Sequence, residues 1–201
     1  MKRRSQYNHF LMSDPRYNER EAWPREQFPD ADYTYMKDCG CLICSLAVLL
    51  CCHGIETETD ETRFNPWILN ERLIACGAFY PSGNLEMDDV SRLYPVEYCG
   101  PEDYSMELLA ERVREGRLCM VTVPGKKGEL HFMAVLRMIE KDAVTDAVIF
   151  DPEMGERLLS EYDRVTRIRT YRIKAVSTEP GAESGTEYRN PPISCADSYG
   201  L

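Results

Sequence analysis

Five of the nine cysteines crowd into one apolar run, DCGCLICSLAVLLCCHG, residues 38 to 54. A cysteine attacks as the thiolate, and the start of a helix favours that form because unpaired backbone N–H groups and the helix dipole stabilise negative charge. Cys41 stands at such a start. Gly40 before it permits a tight turn and a close backbone approach, so that the Cys41 N–H can point at a developing oxyanion. A nucleophilic thiol also needs a base, and His131 opens the apolar strand HFMAVL directly after the turn PGKKGEL, which places an imidazole at the rim of a sheet. The base in turn needs an orienting partner. Asp151 closes the strand AVIFD before Pro152, and the end of one antiparallel strand lies near the start of its neighbour, so His131 and Asp151 can face one another across a β-pair.

The other thiols have a plainer reading. Cys44, Cys51, Cys52, Cys76, Cys99 and Cys119 fall at apolar positions of helices and strands, where a small buried side chain is the default. The cluster Cys39, Cys41, Cys44, Cys51, Cys52 and His53 lies mainly on one helix over more than two turns, so its members cannot surround one ion; no metal and no cofactor are expected. His53, beside Gly54, suits a helix C-terminus, and His9 has no evident partner.

The elements that must position these residues follow from hydrophobic periodicity. CLICSLAVLLCC is apolar on every side, which predicts a helix buried all round and stopped by Gly54. RFNPWILNERLIACG predicts a second helix with Asn65 as its cap, Pro66 in its first turn and Gly77 at its end. A short helix is expected after FYPSGNLEMDD, and an amphipathic one over MELLAERVREG, ended by Gly116. The pattern then changes to strands at LCMVTV, HFMAVLRMIE, AVIFD and RVTRIRTYRIKAV, with PGKKGE and KDAVTD as turns between antiparallel partners. Helices first and an antiparallel sheet second define an α+β fold. Residues 1 to 37, polar and punctuated by proline, read as an N-terminal arm laid over a domain at 38 to 177. Residues 178 to 201, rich in Gly, Pro, Ser and Glu, read as a flexible tail.

Composition narrows the partners. The chain of 201 residues carries 34 acidic and 24 basic side chains, a net charge of −10 that repels nucleic-acid phosphates and anionic membrane surfaces. A peptide or protein substrate fits that surface better than a nucleic acid or a membrane. The longest apolar run falls short of a bilayer span, and the opening MKRR is followed by no apolar signal core, so a cytoplasmic location with free thiols is expected.

Gly40-Cys41 followed by Ser45-Leu46-Ala47, the later His131-Phe132 strand and the Asp151-Pro152 turn resemble, in that order, the papain-like cysteine peptidases. The resemblance is to the branch of bacteriocin leader peptidases and their stand-alone relatives, over roughly residues 38 to 165. It implies a papain-like fold, with a central nucleophile helix packed on a C-terminal antiparallel sheet, and a Cys-His-Asp triad of Cys41, His131 and Asp151. It also implies hydrolysis of a peptide or amide bond through a thioester, or acyl transfer or deamidation on the same three residues. A binding protein that has lost turnover on this fold is the alternative. The oxyanion glutamine implied by the resemblance falls on Gln6, in SQYN, with Gln27 as a second candidate. GERLLSEYDRV resembles the helical segment that follows the Asp-Pro turn. Leu42-Ile43 departs from the usual Gly-Pro. A register with Cys39 as nucleophile would put Ile43 and Cys44 where Ser and Leu belong, which favours Cys41.

Overall fold

Two helices meet at Gly40, the single-turn α1 (Met36–Cys39) and the longer α2 (Cys41–Cys52). They belong to a computed structural model that describes residues 7–24, 26–30, 35–57, 64–125, 129–141 and 144–174. Every α2 residue from Ile43 to Leu50 is buried, as a helix apolar on all sides requires. Its end is set by Gly54 at φ 66°, where the Gly54 N–H bonds to Cys51 and the Ile55 N–H to Leu50, so two of the last carbonyls are satisfied. Next comes α3 (Pro66–Ala75), whose first turn is capped by the Asn65 side chain accepting from the Ile68 N–H at 3.0 Å. The short helix expected after it is a 3₁₀ segment over Met87–Arg92. The amphipathic segment is α4 (Met106–Arg114), capped by Ser105 on the Leu108 N–H.

Six strands form one antiparallel sheet: β1 (Val96–Asp103), β2 (Leu118–Pro124), β3 (Leu130–Lys141), β4 (Val144–Asp151), β5 (Gly155–Leu158) and β6 (Arg167–Ile173), in the order β1-β6-β2-β3-β4-β5. Side-chain alternation divides its two faces. Leu118, Met120, Ala134 and Phe150 share one core with α2 and α3; Cys119, Val121, Met133, Val135 and Ile149 share the other with Leu109 of α4. Helices therefore cover both faces.

Two segments depart from the sequence expectation. VEYCGPED, to which the sequence pattern assigns no element, is the edge strand β1; a bulge between Tyr98 and Pro101, with Gly100 at φ 84°, absorbs both residues where an edge needs no N–H from proline. GERLLSEYDRV is not a helix. Its first four residues are β5, returning along β4 through a three-residue turn closed by Gly155 at φ 81°, and only Leu159–Glu161 make a single 3₁₀ turn. The open backbone edge of β4 wins over the weak helical pattern of the segment.

The arm is built into the main core rather than resting on it. Phe10, Met12, Tyr17, Ala22 and Trp23 are buried with α2, and the Met12 N–H bonds to the Pro152 carbonyl at 2.9 Å. The tail at 178 to 201 lies outside the described residues. Among the described residues, no helix is long and apolar enough to cross a membrane, and the eight cysteines are free thiols.

Candidate active site

Cys41 is the first residue of α2, and what places it there is the glycine before it. A Cβ built on Gly40 would lie 2.5 Å from the Met36 carbonyl oxygen, the same oxygen that accepts the Gly40 N–H at 2.9 Å. Only a residue without a side chain lets α1 close so tightly against the start of α2. No side chain caps α2. Its first N–H groups, that of Cys41 among them, make no backbone bond among the described residues, so the helix opens with donors facing outward beside the sulfur.

The helix is fixed against β3 at two points one turn apart. The Cys41 sulfur lies 3.9 Å from the Leu130 carbonyl oxygen, and the Ser45 hydroxyl donates to the Phe132 carbonyl at 3.0 Å. Pairing of β4 with β3 begins at Ala134↔Phe150, so the start of β3 has β2 on one side and no strand on the other. The Gly125 N–H bonds to the Glu129 carbonyl, so by antiparallel alternation the Leu130 and Phe132 carbonyls point away from β2. Side chains of α2 therefore take carbonyls that no strand reaches. The spacing fits, because four residues of helix advance about 6 Å and two residues of strand about 6.6 Å.

His131 lies between those two carbonyls. Its Nε2 meets the Asp151 Oδ1 at 3.1 Å, which leaves Nδ1 as the free ring nitrogen, and the Cys41 thiol is near enough to help raise the pKa of the ring. Alternation puts His131 in the row of Met133 and Val135, and Asp151 in the row of Ile149, both on the α4 side of the sheet. Cys41 arrives from the α2 side. The open corner left by β4 is where the two layers touch.

Asp151 is buried and fully engaged. Its Oδ1 also accepts the Glu153 N–H at 2.7 Å, and its Oδ2 accepts the Tyr162 hydroxyl. Burial alone would push this carboxyl up, but the bonds from His131 and Tyr162, the imidazolium charge and the Glu153 N–H together hold it below its ordinary 3.8. Burial would likewise push the His131 imidazolium down. The hydrogen bonds to Asp151 and Cys41, with the charges of both, outweigh it and hold its pKa up at about 10.

No family model, characterised protein or solved structure matches the chain.

Each sequence candidate has a definite place. Cys41, His131 and Asp151 come together. Cys39 does not join them: it ends α1 with its thiol donating to the Tyr35 carbonyl at 3.2 Å, and burial pushes that thiol well up. Gln6 lies outside the described residues. Gln27 is exposed in the turn after Pro24, and its side chain makes no bond to the three residues among those described. No group of three metal-binding side chains is gathered among the described residues. A surface depression lined by Met106, Glu107, Ala110, Arg114 and Thr145 lies between α4 and β4 and includes none of the three.

Tyr162 is the site residue that the sequence reading passed over. It sits eleven positions after Asp151, in the segment read as a helix. The available signal was Gly155 directly after the Asp-Pro turn, a position that suits a three-residue hairpin and sends the chain back past Asp151.

Proposed function

We propose that the protein is a papain-like cysteine peptidase that cleaves a peptide or amide bond through a thioester. One observation carries the reading: a half-buried thiol at the head of a buried helix, 3.9 Å from the Leu130 carbonyl oxygen, lies beside an imidazole whose Nε2 is held by a buried carboxylate. A thiol is activated as a nucleophile by an adjacent base, and His131, oriented by Asp151, is the base beside Cys41.

In the proposed reaction Cys41 attacks the carbonyl carbon, and the oxyanion forms beside the Cys41 N–H, which makes no backbone bond among the described residues. His131 gives its proton from Nδ1 to the leaving amine and then takes one from the water that breaks the thioester. Asp151 holds Nε2–H, which fixes the tautomer and leaves Nδ1 as the working nitrogen. An acyl transferase or deamidase would share every step up to the thioester.

The test is acylation by a p-nitrophenyl ester. A burst of about one nitrophenol per chain, with the acyl group found by mass spectrometry on Cys41, is the expected outcome. Cys41→Ala abolishes the burst. Acylation spread slowly over several thiols, with no burst, sinks the reading in favour of a binding protein. Hydrolysis of a fluorogenic peptide mixture then separates a peptidase from a transferase, which would turn over only with an added amine.

A further inference from the structure

Cys41 and Cys44 form a CLIC unit on the first turn of α2, and the two thiols differ in access. Cys41 is half-buried at the site; Cys44 is fully buried, in the same core as Tyr17. We propose that Cys44 is a resolving thiol for Cys41, so that a hydroperoxide converts the pair into a Cys41–Cys44 disulfide that reversibly switches the site off. The proposal deepens the peptidase reading and rests on its nucleophilic Cys41.

Geometry favours Cys44 over its rival Cys39. Residues three apart on a helix have Cα atoms roughly 5 Å apart, inside the 4.4–6.8 Å that a disulfide spans, with Cβ atoms a little wider than the bond prefers. The small tightening needed falls on the first residue of α2, whose N–H has no backbone bond to lose. Cys39, by contrast, turns its thiol back along α1 to the Tyr35 carbonyl. Burial pushes the Cys44 thiol well up, so it stays protonated and leaves the first attack to Cys41.

The chemistry balances in two steps. The Cys41 thiolate attacks the outer oxygen of the hydroperoxide; the O–O bond breaks, the sulfur becomes a sulfenic acid, and the departing alkoxide or hydroxide takes the proton of His131. The Cys44 sulfur then attacks the sulfenic sulfur, the S–O bond breaks, and the hydroxide leaves as water with the Cys44 proton. The two thiols are oxidised by two electrons and the hydroperoxide is reduced by two. A dithiol reverses the change by exchange. Without a partner, the sulfenic acid would continue to sulfinic acid, which is not recovered by thiols.

The test is hydrogen peroxide at one equivalent on the full chain, read by intact mass and peptide mapping and then by the ester burst. Expected are the loss of two hydrogens, a Cys41–Cys44 link, loss of the burst and its recovery with dithiothreitol. Cys44→Ala, once circular dichroism shows it folded, should gain one oxygen on Cys41 with one equivalent and, with excess peroxide, two oxygens and an irreversible loss of the burst, whereas Cys39→Ala should behave as the parent. A Cys41–Cys39 link, or sulfinic Cys41 in the parent chain, overturns the proposal. Because the mass readout needs no turnover, a disulfide without a burst refutes the peptidase alone, and a burst with irreversible oxidation refutes the switch alone.

Discussion

Replacing Asp151 by Asn keeps the shape of the side chain and removes its charge, which isolates what the carboxylate does for His131. In the parent chain the imidazolium is held at about 10, against an ordinary 6.5, by bonds and charges from Asp151 and Cys41 that overcome burial. In D151N burial remains and the Asp151 contribution is gone, so the His131 titration should fall toward 6.5, a loss of up to about three-thousand-fold in proton affinity. Taking one partner from a buried ion pair costs roughly 3–5 kcal/mol of stability. The rate of the ester burst should drop by about 10²–10⁴-fold, the range over which a positioned acid–base group acts. The assay is a proton NMR titration of the imidazole resonances. It is tractable because the chain has three histidines, of which His53 is pushed below its ordinary value by burial. Stability should change with pH in a definite sense. The His131 contribution, from a raised pKa, is fully present below about 6.5 and lost as pH rises through about 10; the Asp151 contribution, from a lowered pKa, is present above 3.8 and lost as pH falls through its folded value. Thermal melts of the parent should therefore plateau between those limits and decline on both sides, while D151N should decline less on both, the acid slope from Asp14 and Glu102 remaining. An unchanged His131 titration in D151N would refute the claim that Asp151 holds the imidazolium.

Three further substitutions probe the frame. Gly40→Ala forces a methyl against the Met36 carbonyl, should cost about 1–3 kcal/mol, and should slow the ester burst by shifting the Cys41 N–H; chemical denaturation and burst kinetics report the two effects. Ser45→Ala leaves the Phe132 carbonyl without its side-chain donor and should cost about 1–3 kcal/mol, while Ser45→Thr restores most of it. Tyr162→Phe removes one of the three donors on Asp151, brings its folded pKa nearer to 3.8, and should therefore lower the stability plateau and flatten its acid slope; a melt series between pH 2 and 5 checks it.

How much of this was legible in the sequence depended on the range of the interaction that decides each element. The helix boundaries at Asn65-Pro66, Gly54, Gly77 and Gly116 are local chemistry, since a cap or a left-handed glycine acts within one turn, and they stand where the pattern put them. The strands carrying His131 and Asp151 were legible for the same reason, and antiparallel pairing brings their ends near one another, although the β3–β4 ladder stops at Ala134↔Phe150, short of His131. What escaped was decided by partners distant in sequence. β1 reads as a loop until β6, some seventy residues later, offers it an edge. β5 reads as part of a helix until β4 does the same, and with it went Tyr162 and the third donor on Asp151.

The deepest constraint on the site is one of register between unlike elements. A helix and a strand repeat at different intervals, so a helix lying along a strand can be anchored at a few points only. Cys41 and Ser45, four apart on α2, match Leu130 and Phe132, two apart on β3, to within about 0.6 Å. That match fixes the axial position of α2, and the residue between the two anchored carbonyls is His131. The sulfur and the imidazole are thus brought together by the same two contacts that dock the helix. Ser45, fully buried and remote from any reacting atom, then matters as the second point of the register: with one anchor the helix can slide, and with two it cannot. Moving the serine by one residue in either direction would turn it about 100° away from β3 and leave the sulfur as the lone contact.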